Sequence, residues 1–323
     1  MGAPSTMQWS DLRDSDAVRA WDCLPSSHDW DTVFGTYPYL ETIASHSRAA
    51  VDQITIEDER GVTAAARLAV HRRLGFSLSP ILPLTAFSAI RLRDDLKEVE
   101  VHERTSVLED LLRAIERRFC AASIHLPPAV QDMRIFSWRG WKVRPLYTYR
   151  IALNETEPPL AAWSESARRT ARQEAPEFEI VETNPETQAR LVVESYSRSG
   201  RKPPLGAERI ASAVRSLIED GAARTLGASN KETQEIDASI AILRHRREAY
   251  YWLAGGRPGA AMTVLLANVL PDLASSGIEL FDFVGANTAS IAEFKRKFGG
   301  QLTTYFRATW QQGIPGRVFS RWV

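Results

Sequence analysis

An α/β fold made of two copies of one unit is what this sequence predicts, on three observations. Helix-like and strand-like patterns alternate along its 323 residues. The second half orders them as two helices, three strands, helix, strand, helix and strand, and the first half gives a fainter version of that order. A segment late in each half also lines up, "FSWRGWKVRPLYTYR" (136–150) with "FKRKFGGQLTTYFR" (294–307). Phe136 falls on Phe294 and Arg150 on Arg307, at offsets of 158 and 157, as an internal repeat requires.

In the first half, "DAVRAWDCL" and "YPYLETIASH" read as helices. "VDQITIEDE" and "VTAAARLAVHRR" read as a hairpin turning at Arg60-Gly61. "SVLEDLLRAIERRFCAA" is an amphipathic helix with Leu108, Leu111, Leu112, Ile115 and Phe119 on one face. "SIHLP" and "WKVRPLYTYRIAL" follow as strands. "NETEPPLAAW" interrupts the pattern with acidic residues and Pro158-Pro159, so the domains are expected at 1–155 and 156–323, the tail after 310 crossing back to the first.

In the second half, Asn184-Pro185 starts a helix through Leu191, Val192 and Tyr196. "GAERIASAVRSLIEDG" is the next, with Ile210, Ala213, Val214, Leu217 and Ile218 at helical spacing. "ARTLGAS", "DASIAILRH" and "EAYYWLAG" are strands, the last two joined by a charged hairpin turn. "GRPGAAM" is a glycine-rich loop, and "TVLLANVLPDLASSG" a helix in spite of Pro271. "IELFDFVG" reads as a buried strand, "SIAEFKRKFGG" as a short helix ended by glycine, and "LTTYFRATW" as a strand.

Composition narrows the function. The chain is 44% hydrophobic and 25% charged, and Lys+Arg and Asp+Glu are both 40, so the net charge is zero. Extensive duplex nucleic-acid binding is not expected of such a charge balance. Cys23 and Cys120 are far apart with no metal-ligand spacing, which argues against a zinc site or a disulfide framework and fits a reducing cytoplasm. The polar N-terminus lacks the apolar core of a signal peptide. "MGAPST" meets the loose myristoylation pattern by chance, with no second anchor beside it. No apolar run approaches the roughly 18 residues that span a bilayer. Walker, G-x-S-x-G and dinucleotide glycine motifs are missing, and the six histidines are scattered.

The run "YYWLAG…LLANVLPDLASSGIELFDFVGA…IAEFKRKFGG" resembles the Fem-type tandem acyltransferases, proteins of two GNAT-like (N-acetyltransferase) domains. Over residues 160–310 the resemblance rests on the "FDFVGA" strand end and the "FKRKFGG" helix end, and over 1–150 on element order. It implies tandem GNAT-like domains, each a mixed, mostly antiparallel sheet flanked by helices. It also implies amide formation by aminoacyl transfer from aminoacyl-tRNA to an amine of a small or nucleotide-linked acceptor, without a metal or a permanent cofactor. An acyl-CoA-dependent N-acyltransferase and a catalytically inactive binding protein are the alternatives. A monomer or weak dimer is expected, with the acceptor in a cleft between domains.

In this resemblance Lys295 supplies positive charge to the transition state and Phe294 lies by the tRNA acceptor end. The bland alternative is a solvated lysine complementing a helix C-terminus. Asp282, among apolar neighbours, must be paired. It would orient Lys295, take a proton from the amine or bond a backbone turn. Arg257, Gly259 and Ala261 occupy the place where GNAT proteins bind a pyrophosphate at a helix N-terminus, but Gly256 stands where that loop carries Gln or Arg, and a structural glycine turn is equally consistent. Arg168 and Arg172 are four apart on one helical face and could grip phosphates of the acceptor or tRNA, or form a solvated basic face. Tyr250, Tyr251 and Trp252 alternate along a strand, so one face of it is core and the other could line the acceptor site, with Tyr250 and Trp252 the candidates.

Overall fold

The computed structural model describes residues 6–24, 30–93, 101–153, 159–319 and 323. The chain divides into two compact units, residues 1–146 with 304–323, and residues 147–303. The divide expected at 155/156 lies outside the described residues.

The first repeat runs β1 (Thr6–Asp11), α1 (Ser15–Cys23), α2 (Tyr37–Ser47), β2 (Ala50–Asp58), β3 (Gly61–Arg73), β4 (Phe76–Ser79), β5 (Ala89–Leu92), α3 (Val101–Arg118), β6 (Ala121–Leu126), α4 (Arg134–Trp138) and β7 (Lys142–Ala152). After the linking helix α5 (Glu165–Glu174), the second runs β8 (Phe178–Glu182), α6 (Pro185–Arg198), α7 (Ala207–Glu219), β9 (Ala223–Asn230), β10 (Ile236–His245), β11 (Glu248–Gly256), α8 (Ala261–Ser275), β12 (Leu280–Asp282), α9 (Ala289–Arg296) and β13 (Gln301–Gln311), with α10 (Gly313–Phe319) last. Apart from β5, the two repeats have the same order. β1, β4, β5 and β8 escaped the sequence reading because each is only four to six residues long, too short for alternation to stand out.

Local chemistry starts the helices. The carboxylate of Asp14 accepts the N–H groups of Asp16 and Ala17, Ser164 caps α5, and Asn184 accepts Thr187 N–H while Pro185 opens α6. The expected hairpin between β2 and β3 is present, but its turn is Glu59-Arg60, one residue earlier than expected, because Gly61 already pairs with Asp58.

In the first unit the strand order is β1-β2-β3-β4-β6-β13, with β5 on β3; in the second it is β8-β9-β10-β11-β12-β7. The pairings are antiparallel except β4 with β6 and β11 with β12. Within the second unit β12 also pairs with residues 150–152 of β7, and within the first β6 pairs with residues 306–311 of β13. All five residues expected on the apolar face of α3 are in the first core, against Ile54, Ile56, Ala64, Ala66 and Leu68. In the second, Leu265, Leu266, Val269, Leu270 and Leu273 of α8 pack on Ile240, Ile242, Phe281 and Phe283. The other face carries α6, whose Gln188 bonds to Ser239 and to the Leu253 carbonyl. This contact needs Gly255: a Cβ there would lie 2.2 Å from the backbone of Leu191, so any side chain would push α6 off the sheet.

Candidate functional site

β11 and β12 are paired only as far as Tyr250 and Asp282. Beyond that point β11 continues while the other chain turns sharply, and a slot opens between them. The expected strand over 278–285 is therefore shorter, because Val284 (φ 50) and Gly285 (φ 84) both take left-handed conformations. That conformation is a strained one for a β-branched residue, and such strain persists only where surrounding contacts enforce it.

The enforcing contacts come from both sides. Phe283 and Ala286 N–H groups donate to the Tyr149 and Tyr147 carbonyls at 2.9 and 2.6 Å. Val284 N–H donates to Asp282 Oδ1 at 2.8 Å. Lys295 Nζ donates to the carbonyls of Phe283, Val284 and Gly285 at 2.6, 3.2 and 2.6 Å.

Lys295 is thus no solvated helix-end charge. It is 5% exposed, on the inner face of α9, with Nζ 5.2 Å from the ring centroid of Tyr251. Its neighbours Arg296 and Lys297 are the exposed ones. Burial lowers the ammonium pKa to about 7, while nearby Asp282 opposes that shift. The carbonyl bonds also favour the charged form. Glycine ends the helix for two reasons: Gly299 has φ 73, and a Cβ there would lie 2.4 Å from the Ala162 carbonyl oxygen.

Asp282 is 1% exposed. Besides Val284, Thr148 donates to Oδ1 at 2.6 Å, and Arg150 Nε stands 3.3 Å from Oδ2 as an ion pair. Burial raises its pKa, against the pull of Arg150, Thr148 and Val284. Of the roles considered for this carboxylate, bonding the backbone turn is the one seen, and its hydrogen bonds do not include Lys295.

A pocket of about 510 Å³ opens onto this turn. Val192, Ser195 and Tyr196 of α6, with Ser199 at its end, form one wall and residues 251–254 of β11 another, while Val284, Gly285, Phe294 and Lys295 are among those that complete it. All its lining residues belong to the second unit. No Asp or Glu is among them, whereas Lys295 and Arg201 are. Phe294 is half-buried, edge-on to Phe298 at 4.9 Å.

The expected acceptor residues separate. Trp252 lines the pocket, but Tyr250 is buried with its phenol donating to Glu248. Strict alternation fails here because Ala241 pairs with Leu253 and Ile242 with Tyr251, which leaves Trp252 in a β-bulge. Tyr251, which alternation puts on the opposite face from Tyr250 and Trp252, is the tyrosine that reaches the pocket. Its hydroxyl has no hydrogen-bond partner among the described residues, and burial pushes its pKa well up.

Arg168 and Arg172 are exposed on α5, which packs on α8 through Ala167 and Ala171, on the sheet face opposite α6. Arg168 donates to the Ala161 carbonyl at 3.0 Å, and neither arginine lines the pocket. Arg257, Gly259 and Ala261 join β11 to α8, also outside the lining. Arg257 pairs with Glu235 and Asp237. No group of three or more His, Cys, Asp or Glu among the described residues could hold a metal ion. No helix of the described residues is long and apolar enough to cross a membrane.

The buried lysine makes stability pH-dependent. Between about pH 7 and the ordinary 10.5, the unfolded lysine keeps a proton that the folded one has lost. The unfolded state then binds more protons, so stability rises with pH in that window. Relative to Lys295→Met, wild type is expected to gain up to about 1.4 kcal/mol per pH unit there, read by urea unfolding at both ends of the window. A difference that stays flat would mean that the carbonyl cage keeps the proton on.

Residues 163–296 match the family model described as "Acetyltransferase (GNAT) domain". A search of curated proteins found no match. Among solved structures, that of FemX has a TM-score of 0.70 at 12% identity, covering 97% of this chain and 99% of its own. The tandem GNAT protein from the clavulanic acid biosynthesis pathway gives 0.55 at 13%, covering 95% and 99%. L-PGS from Bacillus licheniformis gives 0.54 at 12%, covering 95% of each chain. At these identities the likeness is one of fold.

Proposed function

We propose that this chain, a GNAT-fold protein of the Fem-type tandem family, uses the pocket between β11 and the Asp282–Gly285 turn to form an amide from an amine and aminoacyl-tRNA. The amine nitrogen attacks the ester carbonyl, and the carbon–oxygen ester bond breaks. The amine's proton leaves, and the departing ribose oxygen takes one up. Negative charge builds on the carbonyl oxygen and then on the leaving oxygen.

The observation that carries this reading is the buried Lys295 ammonium at a pocket that no carboxylate lines. In a partly dry site such a charge acts at low dielectric, on the oxygens where negative charge develops. Its 3.2 Å bond to the Val284 carbonyl is the longest of the three and is the one an oxyanion would replace. Phe294, on the pocket wall, is placed to stack on the donor's terminal base. Tyr251, with a free hydroxyl, is placed to share the proton transfer to the leaving oxygen. Arg168, Arg172 and Tyr250 take no part in this pocket.

The acyl-CoA alternative is disfavoured by Glu235 and Asp237, which hold Arg257 beside the start of α8 where a pyrophosphate would need uncompensated positive charge. The test is to incubate the protein with charged total tRNA and, separately, with an acyl-CoA panel in the presence of amines. Deacylation of tRNA that depends on Lys295 supports the reading. Turnover of acyl-CoA alone selects the alternative, and no turnover of either leaves a binding protein.

A further inference from the structure

Arg67 lies in the middle of β3, between Ala66 and Leu68, which belong to the core beneath α3. Strand alternation sends Arg67 to the opposite face of the sheet. There it is 2% exposed. Its Nε donates to Gln53 Oε1 at 2.9 Å, its Nη1 to the Gly35 carbonyl at 3.3 Å, and its Cζ lies 4.1 Å from the ring centroid of Trp21. Gln53 is itself fixed, because its Nε2 donates to the Ala17 carbonyl at 2.7 Å. All of these partners are neutral. The remaining nitrogen, Nη2, is buried and has no hydrogen-bond partner among the described residues. Arg91, over the same indole at 4.8 Å, is the contrast, since Asp31 meets it at 2.8 Å. Burial pushes the Arg67 pKa down to about 10; Asp22 counters that fall without a hydrogen bond, and Arg91 adds to it. A buried cation held this firmly by neutral groups is costly unless an anion reaches it.

Arg67 lines a cavity of about 20 Å³, where one water-sized occupant needs about 10–15 Å³. The cavity lies where β4 and β6 part: their pairing ends at Ser79 and Ala122, and the next residues, Pro80 and Ser123, line it. The acyl-transfer pocket takes the same place in the second repeat, beside the end of the β11–β12 pairing. Ser88 lines the cavity as well. Ser88 Oγ accepts the His125 N–H and Ser123 Oγ accepts Arg307 Nε, both at 3.0 Å. Neither hydroxyl donates to a described residue, so each has a proton to offer. No Asp or Glu is among the lining residues. We propose that this cavity binds a single halide ion, chloride under ordinary conditions, held by Arg67 Nη2 and the hydroxyls of Ser88 and Ser123. Phosphate, sulfate and carboxylates are too large for the volume, and a water there would compensate no charge. The site belongs to the first unit and shares no residue with the acyl-transfer pocket, so it stands whatever donor that pocket takes.

An ion that binds only the folded state raises stability with its concentration. Arg67→Met fills the side chain's volume without the charge. The melting temperature of wild type minus that of Arg67→Met is expected to rise by about 3–5 °C for each tenfold increase in sodium chloride above the dissociation constant. The difference should stay flat when sodium sulfate is raised at matched ionic strength, because general salt effects act on both proteins. In wild-type crystals soaked in sodium bromide, an anomalous peak is expected within hydrogen-bond distance of Arg67 Nη2. A chloride series as flat as the sulfate one would make water the occupant and overturn the proposal. So would an equal rise with both salts, the mark of plain screening, or the lack of a bromide peak at Nη2. The bromide soak needs wild type alone, and it decides the matter if Arg67→Met does not fold.

Discussion

Lys295→Ala is expected to lower turnover with the competent donor by about 100-fold or more, the loss typical of removing one preorganised group that stabilises developing oxyanion charge. It is also expected to cost about 1–3 kcal/mol of stability, because the carbonyls of Phe283, Val284 and Gly285 lose their donor. The pocket lets water reach those carbonyls, which keeps the cost at the lower end. Lys295→Met separates the two effects, since it fills the volume without the charge. It should be as inactive as alanine. Lys295→Arg should restore activity only in part, because a planar fork cannot place its donors on three converging carbonyls as a compact ammonium does. Turnover and urea unfolding of the three variants check this, and a fully active Lys295→Met would remove the lysine from the chemistry.

Asp282→Ala is expected to be the most destabilising single change at the site, by about 3–5 kcal/mol, the usual cost of leaving one partner of a buried ion pair alone. It strands the Arg150 guanidinium, frees the strained Val284 N–H and removes the acceptor of the Thr148 hydroxyl. Arg150→Met together with Asp282→Ala should cost less than the two changes summed, because the stranded charge goes with its partner. Urea unfolding of the four proteins gives the coupling directly. A loss below about 1 kcal/mol for Asp282→Ala would mean that the turn is held by its backbone bonds to Tyr147 and Tyr149 instead.

Much of the molecule was legible from local pattern. Leu108, Leu111, Leu112 and Ile115 of α3, and Phe119 just after it, were assigned to a core face by their spacing alone, and all five are there. The common order of the two repeats followed from alternating helical and strand periods, which depend on residues a few places apart. Asp282 was marked as needing a partner by its apolar neighbours, and Phe294 and Lys295 by the helix end that resembles the Fem-type proteins.

Only the tertiary structure decided what surrounds those residues. Thr148, the partner of Asp282, is 134 positions away in the chain, beyond the reach of any periodicity. The bulge at Trp252 turned Tyr250 into the core and brought Tyr251 to the pocket, although strict alternation pairs Tyr250 with Trp252. Arg168, Arg172 and Arg257 have the composition of phosphate ligands, yet the packing of α5 on α8 and the carboxylates of Glu235 and Asp237 give them other surroundings. Lys295 reads locally as one more basic residue between Phe294 and Arg296, and it is buried because a left-handed turn on another element points three carbonyls at it. Periodicity encodes which face of an element is apolar; the partner that meets a given side chain depends on strand pairing, bulges and backbone reversals set by contacts far along the chain.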